Sequence, residues 1–254
     1  MGVMKKTGSQ LDALIFAAHP DDAELCCGGT IAAITAMGKK AGIIDLTRGE
    51  LGTRGTVKTR QAESKKASKI LGIEVRHNLN IPDGNIINNL ANRSKVIKML
   101  RLYTPQIVFL PHHIDRHPDH LKTHELVKES IFYSGLNKIK TPGLNPFRPA
   151  RTLFYMQSSI FEPNVILDIS SFFEIKMKAV KCYSTQFYSG TGEKSGRKEK
   201  SSVKEPETFI SSKNFMEYIE ARSRFYGFQI GVKYAEAFFS EEKLKLTPGL
   251  IFDI

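Results

Sequence analysis

No apolar run in the sequence approaches the roughly 20 residues that a helix needs to cross a bilayer, so the chain reads as one without a membrane span. The opening MGVMKKTGSQ carries two lysines but leads into no secretory leader. The LIFAA that follows is short and runs straight into HPDD, which marks a buried strand. Cysteine is scarce as well. Cys26, Cys27 and Cys182 cannot furnish a disulfide framework and fit a reducing compartment, the cytoplasm. Adjacent Cys26 and Cys27 are badly spaced to chelate one ion and read as small buried packing residues. The first strand is not followed by the G-x-G-x-x-G of a dinucleotide-binding fold. His-Pro-Asp-Asp stands there instead, and two carboxylates repel a pyrophosphate. No block of basic residues gathers the net charge of +11. The stretch with most charge, Ser189–Lys213, holds six basic and four acidic side chains. With no aromatic-and-basic platform, nucleic-acid binding rests on net charge alone, and attraction of an acidic small molecule explains that charge equally well.

What is present is a chain of 254 residues, 41% hydrophobic, enough for one domain with a full core. Apolar runs and helical segments alternate. Strands are expected at Leu11–Ala18, Ala41–Leu46, Glu74–Leu79 and Gln106–Leu110. Helices are expected at Gly28–Met37, Thr56–Leu71 and Leu90–Tyr103, the first two closed by Gly38 and Gly72. This is the spacing of βαβ units and predicts an α/β fold: a mostly parallel sheet with helices on both faces, binding its ligand beyond the carboxyl ends of the strands. The second half is less regular, with strands at Thr152–Met156 and Val165–Ile169 and helices at Ser171–Tyr183 and Lys213–Tyr226. Residues 189–206, rich in Gly, Ser and Lys, read as a surface loop within a single domain spanning 1–254.

Two loops carry the chemistry. Five of the seven histidines fall between His112 and His124, and HHIDRHPDH there repeats the HPD of the first loop, His19 to Glu24. Both loops follow strands of one sheet. Histidines and carboxylates are costly to bury unpaired, and a metal ion satisfies several at once. A catalytic zinc site takes three protein ligands and keeps one position open. His19 and Asp22 can face one ion from a turn, and a histidine of the second loop completes the set. Asp21, His117 and Asp119 are left for catalytic or supporting roles. The simpler alternative is that Asp21 or Asp22 caps the following helix. His77, His112, His113 and His124 read as structural or rim residues. Gly28 and Gly29 read as places where the backbone passes close to the site.

AHPDD at Ala18–Asp22, GGT at Gly28–Thr30 and HPDH at His117–His120 together resemble the LmbE/PIG-L family of metal-dependent deacetylases. DLTRGELGTRGT, IPDG, FYM and GVKYAEAF are similar to strings of its bacillithiol-pathway subgroup, the N-acetylglucosaminyl-malate deacetylases. The resemblance implies a Rossmann-like fold and hydrolysis of the N-acetyl group of an N-acetylglucosamine conjugate. His19, Asp22 and His120 would bind Zn²⁺, with Fe²⁺ the alternative for two histidines and a carboxylate. Asp21 would be the general base. His117, oriented and kept cationic by Asp119, would stabilise the oxyanion or protonate the leaving amine. Arg54 and Asp83 would contact the sugar, and Arg116 is a further candidate for an anionic substrate. The resemblance also implies a homo-oligomer, with a hexamer common among relatives.

Overall fold

The computed structural model describes residues 10–188 and 206–243. Seven strands form one sheet: β1 (Ala13–Ala17), β2 (Ala41–Asp45), β3 (Val75–Asn78), β4 (Ile107–Pro111), β5 (Arg151–Tyr155), β6 (Val165–Asp168) and β7 (Ala235–Phe239). Their order is β3-β2-β1-β4-β5-β7-β6. The pairs along β3-β2-β1-β4-β5 are parallel, whereas β7 runs antiparallel to both β5 and β6. The expected α/β architecture is therefore present. The expected loop at 189–206 lies outside the described residues except for Pro206.

Side chains on β1 alternate between two cores. Ala13, Ile15 and Ala17 pack with α1 (Asp22–Ala36), α2 (Val57–Leu71), α5 (Phe173–Lys181) and α6 (Lys213–Gln229). Leu14 and Phe16 pack on the other face with α3 (Leu90–Tyr103) and α4 (Pro118–Ser134). Local chemistry sets the helix ends. Thr56 and Thr59 form a reciprocal capping box at the start of α2, and Gly72, at φ 66°, ends it in the left-handed region. Asn89 caps α3 by accepting from the Asn92 amide at 2.9 Å. No helix among the described residues is long and apolar enough to cross a membrane.

Two expectations change. α1 begins at Asp22, not Gly28, so Asp22 and Glu24 lie inside its first turn, buried. Glu24 tolerates this because Arg76 donates to it at 2.5 Å and the Tyr183 hydroxyl at 2.9 Å, while the same Arg76 forks onto Asp45 at 2.7 and 2.9 Å. Gly28 and Gly29 do not bring backbone to the site. A Cβ on Gly29 would stand 2.6 Å from Ile169 and one on Gly28 3.0 Å from Lys176, so the pair admits the α5 side of the core. Glu236 of β7 also reaches this helix, accepting from the Gly29 and Thr30 amides at 3.0 and 2.8 Å and from the buried Lys176 ammonium at 2.7 Å. Cys26 and Cys27 are buried as expected, and burial pushes the Cys26 thiol above its ordinary range.

Away from the cleft, His112 stacks on Phe161 at 4.1 Å, and His124 donates Nδ1–H to the Pro111 carbonyl at 2.9 Å. Burial, then His113 and His124, pull His112 down to about 4. Burial also lowers His124, with the Pro111 carbonyl opposing, Lys128 and His113 adding to the fall and Glu241 opposing it. An unfolded histidine takes up its proton near pH ~6.5, so between about 6.5 and 4 the unfolded chain binds more protons than the folded one. The contribution to stability is complete above that window and lost as pH falls through it. Thermal unfolding followed by circular dichroism from pH 7 to 4 should show the parent chain losing stability relative to His112→Phe as pH falls.

Candidate metal centre

The strand order reverses between β1 and β4, the place where parallel α/β sheets open a crevice at their carboxyl ends. The loop after β1 supplies His19 and Asp21, and α1 begins with Asp22. The loop after β4 supplies Asp115, Arg116 and His117, and α4 begins with Pro118, Asp119 and His120. Sequence reading left HPDH as loop. It is instead a helix start, with Pro118 in the first turn and the His117 ring accepting from the Asp119 amide at 3.2 Å as the cap.

Asp22 Oδ2 lies 3.3 Å from His19 Nδ1 and 3.6 Å from His120 Nε2, and the donor atoms of these three residues fall within 4.8 Å of one another. The far side of each ring is occupied. His120 Nδ1 meets Asp115 Oδ1 at 2.9 Å, and His19 Nε2 meets Asp83 Oδ1 at 3.0 Å with Asp119 Oδ2 at 3.4 Å. Rings held from behind by carboxylates present a defined nitrogen forward, which is how metal-binding histidines are oriented. Burial opposes charge on His19, but hydrogen bonds to Asp119, Asp22 and Asp83 outweigh it and raise the ring well above 6.5. Burial likewise opposes the Asp22 anion, yet His120 and His19 hold its carboxyl below the usual range. This pocket of carboxylates calls for positive charge at its centre. Two imidazoles and a carboxylate suit Zn²⁺ or Fe²⁺, so the residues present fit a divalent ion.

Asp21 sits beside this set. It occupies the cap position of α1 but makes no side-chain cap bond, which disposes of the capping alternative for this residue. Its carboxylate instead accepts from Arg60 at 2.8 Å. Its φ of 121° is unusual for a residue other than glycine, a cost of about 1–3 kcal/mol that recurs at functional sites. Burial pushes the carboxyl up to about 7, with Arg60 pulling the other way.

Asp119 reaches His117 through its amide, and its charge acts against the lowering of the ring. Its carboxylate accepts from the Gly84 amide at 2.8 Å and faces His19, and its main-chain amide, not its charge, orients the His117 ring. Burial, His120 and His19 lower His117 below 6.5, so the neutral ring carries its proton on Nε2. Asp83 lines the cavity too, with Oδ1 on His19 and Oδ2 accepting from the Leu51 amide at 2.9 Å. Arg54 and Arg116 line the same cavity of about 640 Å³, and the Arg116 guanidinium lies 5.1 Å from the Phe209 ring centre. The far wall is apolar, built by Phe187, Phe209, Phe215 and Tyr218. Arg60, Asp115, Gln157 and this wall escaped sequence reading. Arg60 and Gln157 act through partners distant in sequence, Asp21 and Asp22, whereas Asp115 acts through the nearby His120.

A family model described as PIG-L, GlcNAc-PI de-N-acetylase, matches residues 14–131, from β1 through most of α4 and across both loops. The conserved protein TT1542 from Thermus thermophilus superposes with a TM-score of 0.82 at 37% identity, covering 94% of this chain and 98% of that one. The N,N'-diacetylchitobiose deacetylase of Pyrococcus horikoshii superposes with a TM-score of 0.75 at 27% identity, covering 94% and 85%. A diacetylchitobiose deacetylase of Thermococcus kodakarensis is 28% identical over 250 residues, 93% of this chain and 83% of that protein. Fold and site thus define a hydrolase of the N-deacetylase class. Within that class, the chain belongs to the PIG-L family.

Proposed function

We propose that the chain removes the N-acetyl group from an N-acetylglucosamine conjugate, with N-acetylglucosaminyl-malate of bacillithiol biosynthesis as the preferred substrate and Zn²⁺ as the resident ion. The observation that carries this reading is the convergence of His19, Asp22 and His120 beside Asp21 in one cavity. The similarity to two diacetylchitobiose deacetylases supports a GlcNAc-type substrate. The malate assignment rests on Arg54 and Arg116 in the cavity lining, because Arg can hold a carboxylate through two donors.

His19, Asp22 and His120 would hold the ion, which would supply Lewis acidity toward water and the acetyl carbonyl. The protein's own groups do the rest. Asp21 accepts the proton of the attacking water, and Arg60 fixes its direction. His117 presents Nε2–H to the oxygen that gains negative charge, and the proton that Asp21 took from water passes to the departing nitrogen. Asp115 and Asp83 hold the two ligand rings still while charge develops. Acetate and a free amine result. We further take the chain to act in the cytoplasm, where its free cysteines stay reduced, and as a homo-oligomer, a hexamer being the expected form.

Acetate release measured on N-acetylglucosaminyl-malate, N,N'-diacetylchitobiose and plain N-acetylglucosamine tests this reading. The malate conjugate should give the highest kcat/KM, and Arg116→Ala should lower it by roughly tenfold, the scale of losing one charge-assisted hydrogen bond. A preference for the disaccharide would discard the malate assignment and keep the chemistry. No acetate from any of the three would discard both.

A further inference from the structure

Asp22 offers two oxygens, and the fold treats them differently. Oδ2 accepts from the His19 amide at 2.8 Å and faces both ring nitrogens. Oδ1 is taken by the side-chain amide of Gln157, two residues past the end of β5. Reversing that amide would set a carbonyl oxygen against a carboxylate oxygen, two acceptors with no proton between them. Gln157 Oε1 is buried and has no hydrogen-bond partner among the described residues, so no competing bond draws the amide away from Asp22. The residue is itself pinned. Arg222 of α6 donates Nη1 to the Gln157 carbonyl at 2.5 Å and Nη2 to the Leu25 carbonyl at 3.3 Å. One guanidinium therefore ties the backbone of the glutamine to the helix that carries Asp22.

We propose that Gln157 is a positioning residue that limits Asp22 to a single oxygen, Oδ2, toward the ion shared with His19 and His120. The proposal rests on the metal-dependent reading above. A carboxylate free to swing can bind through both oxygens, and the second would occupy a position that a catalytic site keeps open for water and substrate. Hydrogen-bond partners of metal ligands typically change metal affinity or activity by about 10–100-fold when removed. Gln157 touches no reacting atom in this account; it acts through Asp22.

Gln157→Leu removes the amide at nearly constant volume. Three measurements compare it with the parent chain: Zn²⁺ affinity by competition with a chromophoric chelator, the visible spectrum of the Co²⁺-loaded protein, and kcat and KM separately. We expect affinity to fall about tenfold. The Co²⁺ bands should weaken as the ion gains a protein oxygen, and kcat should drop more than KM rises. Arg222→Met, which frees the glutamine backbone, should shift the Co²⁺ spectrum in the same direction by less. Should Gln157→Leu fail to fold by circular dichroism, Gln157→Asn, whose amide falls one methylene short of Oδ1, is read on the same assays. A folded variant with Zn²⁺ affinity within about twofold of the parent and an unchanged Co²⁺ spectrum overturns the role of Gln157 alone. A parent chain that binds neither ion overturns the metal-dependent reading and this inference with it.

Discussion

Asp21→Asn should leave a folded chain that still binds its ion yet hydrolyses its amide about a thousandfold more slowly, within the range for removing a general base. The substitution is sterically silent. Asparagine has the same shape as aspartate and is likewise enriched among residues at positive φ, so the backbone at 121° meets no new strain. Its carbonyl oxygen can still accept from Arg60 at the 2.8 Å the carboxylate uses now. His19, Asp22 and His120 are untouched. What disappears is the capacity to take a proton. Steady-state acetate release, run beside elemental analysis of the same samples, separates the two effects. A variant with full metal content and more than about a tenth of parental activity would remove Asp21 from the role of base. A variant that loses its metal would show that Asp21 supports the centre, not the chemistry.

His120→Ala should have the largest effect on the ion itself. The ring is one of three donors, and its loss should weaken metal binding by more than the roughly 10–100-fold seen for outer groups, with activity falling to background in metal-limited buffer. The fold should survive better than the site. Asp115, which loses the ring at 2.9 Å, keeps the His117 and Ser158 amides at 2.8 and 2.9 Å, so its charge is not stranded. Asp22 keeps the His19 amide and Gln157. Equilibrium dialysis against Zn²⁺, with and without millimolar excess in the assay, measures the loss. Unchanged metal content would take His120 out of the ligand set.

The parallel half of the fold was legible because its signals are local. Apolar runs of strand length alternate with segments ended by Gly38, Gly72 and the turn after Tyr103, and α3 was placed from Leu90 to Tyr103 as found. The start of α1 was not legible, because Asp22 and Glu24 look like loop residues. They are buried only because His120, Arg76 and Tyr183 arrive from elsewhere. β7 was missed for the same reason: Glu236 breaks an apolar pattern that Lys176, far away in the chain, makes tolerable. His19, Asp22 and His120 could be proposed because both HPD segments follow strand ends, and β1 and β4 prove to be neighbours. Arg60 and Gln157 belong to no such string, and only the folded chain brings them to the site, whereas Asp115 stands inside HHIDRHPDH but outside its HPD.

The position of β7 bears on how this enzyme is made. Among the described residues it is the last strand in chain order and lies between two earlier ones, so a nascent chain on the ribosome has β5 and β6 in hand with nothing to join them until Phe239 has emerged. Until then the sheet presents an open edge of the kind that invites pairing with other chains. Glu236 comes out with that strand and is the group that binds the Gly29 and Thr30 amides, so the helix that begins with Asp22 gains its anchor only once β7 has emerged.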